Sequence, residues 1–284
     1  MESDVKQGAQ VRSAVTLSLV PEVRGGPFVF WDDTAAACAA AARIGFDGLE
    51  LFPSSAATVS VAELRAALEG NGLELAAVGT GAGGVVHGLS LAHPDPGRRR
   101  RAIDFVRAVV ELAASFGAPA IVGSMQGRSA AGEPREEALA RLADSLAQLA
   151  QHAAAAGGRV LLEPLNRYET DLCNTLHQGG ELLARVGGEC LALLADLFHM
   201  NIEETDIAAA LGAAATQLGH LHFVDSNRRP AGRGHLSYAP IAAALGAAGY
   251  RGWASAEAFS YPDPEAAARQ TIHSYRAYLE GLNR

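Results

Sequence analysis

Short apolar runs and longer mixed stretches alternate along almost the whole chain. Each run has the length and composition of a buried strand, and the stretches between runs have the length of helices. The predicted strands span residues 15–20, 49–52, 73–78, 120–124, 160–164, 191–196, 218–222 and 253–257. The first predicted helix ends at Ile44, and the others span residues 60–70, 96–116, 134–156, 175–186, 202–211, 238–248 and 262–282.

Helix start signals support this alternation. Asp32 or Asp33 can cap the first helix, and Ser60 followed by Glu63 has the spacing of a capping box. Strand and helix repeats in succession, without a linker between them, predict a parallel sheet. Eight such repeats close into an α/β barrel of the (β/α)8 or TIM type.

An open, doubly wound sheet is the alternative fold. Such a sheet normally carries a G-x-G-x-x-G turn between its first strand and first helix. Gly25-Gly26-Pro27 lacks this spacing, and Gly79-Thr80-Gly81 is followed by too long a loop. The second motif therefore predicts close approach of the backbone to a ligand rather than a dinucleotide site.

Length and charge narrow the class of protein. A chain of 284 residues with 49% hydrophobic residues can form one large core. We predict a single barrel domain at residues 14–284 after a flexible tail at residues 1–13. The net charge of -8 disfavours a nucleic-acid partner, which needs a basic surface, and favours a small polar molecule. The arginines at positions 98–101 are typical of a solvated helix face.

The cellular location is predicted from the first residues and the cysteines. The first twelve residues mix charged and polar types and lack the apolar centre of a signal peptide. No run has the length needed to span a bilayer, so no membrane partner is expected. Cys38, Cys173 and Cys190 form no paired spacing and are expected to be reduced thiols. These features predict a cytoplasmic protein.

Four predicted strands end in a residue that can bind a metal, namely Glu163, Asp196, His222 and Glu257. Burying a carboxylate or imidazole at a strand end is costly unless a partner neutralises it. The carboxyl ends of barrel strands meet at the mouth of the barrel, where active sites form. One ion could therefore bind all four residues. Three carboxylates and one imidazole make an oxygen-rich site suited to Mn²⁺, Co²⁺ or Mg²⁺.

Simpler interpretations compete with the metal site. A single glutamate at a strand end is usually solvated, although four such ends in successive strands are hard to explain as surface. Asp196 could cap a helix that packs His199. His220 and His222 share the inward face of one strand because they lie two residues apart. His220 lies one layer deeper and is expected to be a core histidine bonded to a neighbour.

Longer motifs surround these positions. They are residues 163–170 (EPLNRYET), 196–204 (DLFHMNIEE), 219–222 (GHLH), 225–228 (DSNR) and 249–253 (GYRGW). With these motifs the chain resembles the ketose 3-epimerases, a group within the xylose-isomerase-like barrels that includes D-tagatose and D-allulose 3-epimerases. The motifs at residues 79–81, 88–91, 93–94 and 123–128 are similar to a branch that acts on keto-sugar acids, such as 5-keto-L-gluconate epimerase.

The resemblance implies roles for particular residues. Glu163, Asp196, His222 and Glu257 match the ligands of one divalent metal ion, Mn²⁺ in the first place, with Co²⁺ or Mg²⁺ as alternatives. Glu163 and Glu257 also match the two acid/base groups. The substrate-binding residues that match are His199 and Arg228 at the C2 oxygen and Glu169 at the O1–O2 end. A homo-oligomer, either a dimer or a tetramer, is implied as well.

The residues that would select the sugar differ from the family pattern or allow two interpretations. Leu197 replaces a common threonine of the family, and Asp225 stands where glutamate is frequent. Arg128 is our candidate for binding a substrate carboxylate through two parallel hydrogen bonds, and the alternative is a surface arginine. The aromatic group at Phe28, Phe30 and Trp31 could be a lid over a sugar or simple packing.

The predicted chemistry is inversion at C3 of a ketose or keto-sugar acid through a cis-enediolate, with two glutamates exchanging the proton and a metal acting as Lewis acid. The alternative is an aldose–ketose isomerase of the hydroxypyruvate type on the same metal site. Two further classes are a DNA-repair enzyme of the endonuclease IV type, disfavoured by the acidic charge, and a non-catalytic sugar-binding protein. The last would have no use for two carboxylates on opposite sides of one ion.

Overall fold

The computed structural model describes residues 10–282 and contains a closed barrel of parallel strands surrounded by helices. The strands are β1 Arg12–Ser18, β2 Phe30–Trp31, β3 Gly48–Phe52, β4 Glu74–Gly79, β5 Ala120–Val122, β6 Val160–Leu162, β7 Leu191–Asp196, β8 Leu218–His222 and β9 Trp253–Ala256. The barrel closes where β1 pairs with β9, and the short β2 pairs with the carboxyl end of β1. The predicted (β/α)8 barrel is confirmed.

The helices between the strands follow the predicted order. They are α1 Thr34–Ile44, α2 Val61–Gly70, α3 Ala82–Val85, α4 Pro96–Ala114, α5 Arg135–Ala156, α6 Leu176–Val186, α7 Leu197–Glu203, α8 Ile207–Ala213, α9 Tyr238–Ala247 and α10 Pro264–Tyr278. Asp33 caps α1 by accepting a hydrogen bond from the backbone N–H of Ala36. None of the helices among residues 10–282 is long and apolar enough to cross a membrane.

Most predicted elements end within a few residues of the observed bounds. Two differences change the description of the fold, at the first strand and at the helix predicted for residues 202–211. β1 begins at Arg12 because it pairs in register with β9 from Trp253 onward, and Val20 already leads into a 3₁₀ turn at Pro21–Val23. Residues 12 and 13 of the predicted tail are thus part of β1. The rest of that prediction falls mainly on residues 1–9, outside the described residues.

The helix predicted for residues 202–211 is in fact two helices, α7 and α8. Each begins at its own capping aspartate. Asp196 accepts hydrogen bonds from the N–H groups of α7, and Asp206 accepts one from the N–H of Ala209 in α8. The Asp196 cap matters for the site because α7 starts directly at the end of β7.

Side chains inside the barrel change from apolar to ionisable toward the mouth. Ala14, Ala76 and Trp253 form one buried apolar cluster, and Arg12 covers the Trp253 ring with its guanidinium carbon 3.8 Å from the ring centroid. A second cluster contains Ala77, Ile121, Leu161 and Leu194. Glu50, His220 and His222 are also buried inside the barrel, and the strand ends beyond them carry the candidate site.

Candidate active site

The structure brings together the four predicted metal ligands at the carboxyl ends of β6, β7, β8 and β9. One donor atom from each of Glu163, Asp196, His222 and Glu257 lies within 4.8 Å of the others. His222 Nδ1 faces all three carboxylates, at 3.1 Å from Asp196 Oδ2, 3.3 Å from Glu163 Oε1 and 3.6 Å from Glu257 Oε2. The cluster is almost completely buried, since even the Glu257 side chain is only 12% exposed.

The chemistry of this cluster fits a divalent cation. Glu163 Oε1 is buried and makes no hydrogen bond within the described part of the chain. A buried carboxylate oxygen without a partner is costly unless a positive charge compensates it. Three carboxylates with one imidazole are the donors that Mn²⁺, Co²⁺ and Mg²⁺ accept. The residues therefore form a candidate metal centre.

Burial and crowding shift the acidity of these groups. Burial raises the pKa of the Glu163 carboxyl to about 8, and the nearby Glu257 and Asp196 charges act in the same direction. Burial also raises the pKa of Glu257 above its ordinary value, although Arg228 opposes this effect. For His222, burial acts to lower the pKa, but Glu50 and Glu257 together with the adjacent ligands hold it well above its usual range.

The two carboxylate oxygens of Asp196 have different roles. Oδ1 accepts hydrogen bonds from the backbone N–H groups of Phe198 at 2.7 Å and His199 at 3.1 Å, which caps α7. Oδ2 faces His222 Nδ1. Asp196 therefore caps the helix, as the simpler interpretation predicted. The cap is compatible with a ligand role, because it fixes the orientation in which Oδ2 points into the cluster.

His199 is fully buried on α7 and presents a hydrogen-bond donor to the cluster. Its Nδ1 accepts the backbone N–H of Asn166 at 3.1 Å, so the proton of the neutral ring is on Nε2. Burial lowers the pKa of His199 to about 4, which keeps the ring neutral. Nε2 has no hydrogen-bond partner among the described residues and lies 3.8 Å from Glu163 Oε1. This N–H is available to a substrate oxygen.

Arg228 lies in the loop between β8 and α9 and reaches the cluster from the mouth. Its guanidinium pairs with Glu257 and, at 3.3 Å, with Glu169 Oε1. Its backbone has a left-handed φ of 58°, which is unusual for a residue other than glycine. Asp225 supports this loop by accepting backbone N–H bonds from Ser226 and Gly232. Aspartate at this position thus has a structural role in shaping the loop that carries Arg228.

The other two predicted substrate-binding residues differ in placement. Glu169 is partly exposed, and its Oε1 accepts a hydrogen bond from Asn166 Nδ2 at 3.0 Å beside Arg228. Arg128 donates from Nη1 to the backbone oxygen of Tyr168 at 2.9 Å, at a solvent-exposed position. Glu169 therefore borders the cluster, whereas Arg128 is not among the residues that line the cavity above it.

A cavity of about 200 Å³ opens above the cluster, with an aromatic wall on one side. Phe28 and Phe52 form this wall with ring centroids 4.5 Å apart. Glycine at positions 79 and 81 is required because a Cβ there would meet the Phe52 ring at 2.5 and 2.9 Å. Of the predicted aromatic group, Phe28 lines the cavity and Phe30 packs in the core.

Sequence reasoning missed two residues that organise the site. Glu50 is buried on β3 and forms hydrogen bonds with His220 and His222. Burial acts to raise its pKa, but the two histidines hold that pKa below its ordinary range. The signal was a carboxylate between two leucines of a buried strand. Asn166 lies within the motif at residues 163–170, but its contact with His199 depends on the conformation of the loop. His220 is a core histidine bonded to a neighbour, as expected.

Comparison with known proteins identifies the family. Residues 38–278 match the family model described as xylose isomerase-like TIM barrel. The chain is 32% identical over 229 residues to the D-psicose 3-epimerase of Ruminiclostridium cellulolyticum, which covers 77% of this chain and 75% of that protein. It is 36% identical over 132 residues to the 3-dehydro-D-guloside 4-epimerase of Escherichia coli, which covers 46% of this chain and 50% of that protein.

A solved structure of L-ribulose 3-epimerase is also similar, with a TM-score of 0.80 and 25% identity over 95% of this chain and 94% of that chain. Barrel, site and relatives together define an enzyme of the sugar epimerase and isomerase class. The chain belongs to the xylose isomerase-like TIM barrel family, and its relatives there include the ketose 3-epimerases.

Proposed function

We propose that the protein is a divalent-metal-dependent epimerase that inverts C3 of a ketose or keto-sugar acid. The arrangement of the two glutamates carries this proposal. Glu163 follows β6 and Glu257 follows β9, with β7 and β8 between them in the barrel. The two carboxyl groups therefore approach the cavity from different sides. A sugar carbon held between them could lose its proton to one glutamate and receive a proton from the other.

The four clustered residues, Glu163, Asp196, His222 and Glu257, would hold the metal ion, which we propose to be Mn²⁺ with Co²⁺ and Mg²⁺ as alternatives. A bound cation would supply Lewis-acid stabilisation of negative charge on the substrate. One glutamate removes the C3 proton to give a cis-enediolate, and the second glutamate delivers a proton to the opposite face. In the reverse reaction the two roles interchange.

The remaining residues of the site bind and orient the sugar. The His199 Nε2–H and the Arg228 guanidinium would donate hydrogen bonds to the oxygen at C2, where negative charge develops. The Glu169 carboxylate would accept a hydrogen bond from a hydroxyl group at the O1–O2 end of the substrate. Phe28 and Phe52 would contact the apolar face of the sugar ring or chain.

His199→Asn should lower kcat by about 100-fold, because removing one preorganised donor to a developing oxyanion typically has an effect of this size. The shorter amide can still accept from the N–H of Asn166 but no longer reaches the substrate oxygen. The matched variant His199→Gln should recover part of the activity because its amide reaches farther. The affinity for Mn²⁺, measured by calorimetry, should stay within about threefold of wild type. A His199→Asn enzyme with wild-type kcat would remove His199 from the mechanism.

The charges around the cavity favour a neutral ketose over a keto-sugar acid. Among the described residues that line the cavity, Arg228 is the sole arginine or lysine, and it is paired with Glu257 and Glu169. Glu50 and Glu163 add further carboxylates to the lining. A substrate carboxylate would therefore meet net negative charge unless Arg128 turned from the Tyr168 oxygen toward the cavity.

Arg128→Ala tests this point. We expect its kcat/KM to change by less than about threefold on both a neutral ketose and a ketohexonate, because an exposed arginine with one backbone contact contributes little. The measurement compares the two substrates in wild type and variant. Arg100→Ala is the matched control, since it removes an exposed arginine from α4, outside the cavity lining. A loss confined to Arg128→Ala and to the ketohexonate would assign carboxylate binding to Arg128.

The reacting carbon can be identified directly. Turnover of free ketoses and ketohexonates in D₂O with Mn²⁺, Co²⁺ or Mg²⁺ should place deuterium at C3, read by NMR. Deuterium at C4 would favour the activity named for the Escherichia coli relative, whereas an aldose product would favour the isomerase alternative. No metal-dependent turnover on any of these sugars would leave the proposal without support.

We also propose a cytoplasmic homo-oligomer, either a dimer or a tetramer. Its support is the family resemblance and the three free cysteines, Cys38, Cys173 and Cys190. Light scattering coupled to size-exclusion chromatography measures the oligomeric state.

A further inference from the structure

Glu50, His220 and His222 form a hydrogen-bonded group inside the barrel, next to the candidate metal centre. Glu50 on β3 is 5% exposed. Its Oε2 lies 2.9 Å from His220 Nε2, and its Oε1 lies 3.2 Å from His222 Nε2. Since β1 and β9 separate β3 from β8 in the barrel, these bonds span the barrel interior. The proposed mechanism gives no role to Glu50 or His220.

This group determines which nitrogen of His222 carries a proton. An ionised carboxylate can only accept hydrogen bonds, so both Nε2 atoms that contact Glu50 must donate. With its proton on Nε2, a neutral His222 has its lone pair on Nδ1. That atom is the one that lies 3.1 to 3.6 Å from the three carboxylates of the candidate centre.

The two histidines of the site are thereby held in opposite tautomers. Asn166 donates to Nδ1 of His199 and leaves an N–H facing the cluster. Glu50 accepts from Nε2 of His222, so the neutral form of that ring has its lone pair facing the cluster. Asn166 thus leaves His199 able to donate a hydrogen bond toward the cluster. Glu50 leaves His222 able to bind a cation through Nδ1.

We propose that Glu50 is a positioning residue of the metal centre, which fixes the tautomer and ring orientation of His222 so that Nδ1 binds the cation, while His220 holds the second oxygen of Glu50. This inference rests on the metal site of the proposed function. Carboxylates that accept the second N–H of a metal-binding histidine also increase its basicity as a ligand. Glu50 should therefore contribute to metal affinity without touching the ion or the substrate.

The test compares Mn²⁺ dissociation constants of wild type, Glu50→Gln and Ser255→Ala by calorimetry on metal-free, folded protein. A glutamine has one acceptor oxygen, and its NH₂ group cannot accept the second imidazole N–H. We expect Glu50→Gln to bind Mn²⁺ about 10- to 100-fold more weakly. Ser255→Ala is the matched control in the barrel, because its buried Oγ has no hydrogen-bond partner among the described residues. It should bind within about threefold of wild type.

A second measurement on the wild-type protein does not depend on any variant folding. With ¹⁵N-labelled histidine and diamagnetic Mg²⁺, long-range ¹H–¹⁵N spectra should show His222 protonated at Nε2 and not at Nδ1. A proton on Nδ1 would overturn the inference, as would a Glu50→Gln dissociation constant within about twofold of wild type. Two bound Mn²⁺ ions per chain would also overturn it, because Glu50, His220 and His222 would then form a site of their own.

The outcomes separate this inference from the proposed function. Wild-type protein that binds no Mn²⁺ would remove both the metal site and the role of Glu50. Wild-type protein that binds Mn²⁺ tightly, together with a Glu50→Gln variant that binds equally well, would remove only the role of Glu50.

Discussion

Replacement of either Glu163 or Glu257 by glutamine should stop net epimerisation in both directions, with kcat lower by about 1,000-fold. The two carboxyl groups enter the cavity from strands separated by β7 and β8. In the proposed mechanism each therefore serves only one face of the reacting carbon. Because one removes the proton and the other returns it, neither can replace its partner. The measurement is the approach to equilibrium from each ketose, followed by NMR.

The two glutamates are also candidate metal ligands, so metal content must be measured in each variant before its rate is interpreted. A variant that keeps the base facing the C3 hydrogen could still exchange that hydrogen with D₂O without inverting the carbon. Glu169→Gln is the comparison variant, since Glu169 is proposed to bind substrate only. It should mainly raise KM and keep net epimerisation in both directions. Metal-loaded Glu163→Gln or Glu257→Gln with near wild-type epimerisation would point to a one-base mechanism.

Local sequence patterns predicted the barrel because buried strands appear as apolar runs and helix starts carry recognisable capping residues. One of the two boundaries discussed depends on a partner distant in sequence, and the other depends on a local cap. β1 starts at Arg12 because of its register with Trp253, which no local pattern shows. The helix predicted across residues 202–211 is broken because Asp206 starts a new helix, and an apolar pattern continues across such a break.

The same distinction applies to the site. The clustering of four residues could be predicted because each ends an apolar run and barrel topology brings such ends together. These residues are Glu163, Asp196, His222 and Glu257. The partner of His222 could not be predicted, since Glu50 lies 172 residues away in sequence and contacts it only through the barrel interior.

The role of Arg128 stays a prediction, because a local pattern does not decide it. Arg128 follows a strand end like the other candidates, but the direction of its side chain depends on the conformation of the loop. The structure directs it to the Tyr168 backbone.

Removal of the metal should abolish activity and lower thermal stability. A cation that binds only the folded state stabilises it by about 2.7 kcal/mol at a free concentration of 100 times its dissociation constant. For a domain of this size we expect the melting temperature to rise by about 5 to 10 °C when Mn²⁺ is restored after chelation. Differential scanning fluorimetry and an activity assay on the same samples measure both effects.

This stabilisation should increase with pH. In the metal-free protein the pKa of Glu163 is raised to about 8, above its ordinary value of 4.5. The stability that its proton provides is fully present below pH 4.5 and is lost as the pH rises through about 8. The raised pKa of His222 acts in the same sense, with stability lost as the pH rises through its folded value. Metal binding requires both groups to be deprotonated, so affinity rises over the same range.

The Mn²⁺-dependent increase in melting temperature should therefore be larger at about pH 8.5 than at about pH 6. Asp196→Asn and His222→Ala should show little of this increase at either pH and should be inactive, because each removes one donor of the cluster. Arg128→Ala is the control, since it leaves the cluster intact and should respond to Mn²⁺ like wild type. Full activity of Asp196→Asn or His222→Ala without metal, or a wild-type shift that is larger at the lower pH, would contradict the assignment of these residues to a metal centre.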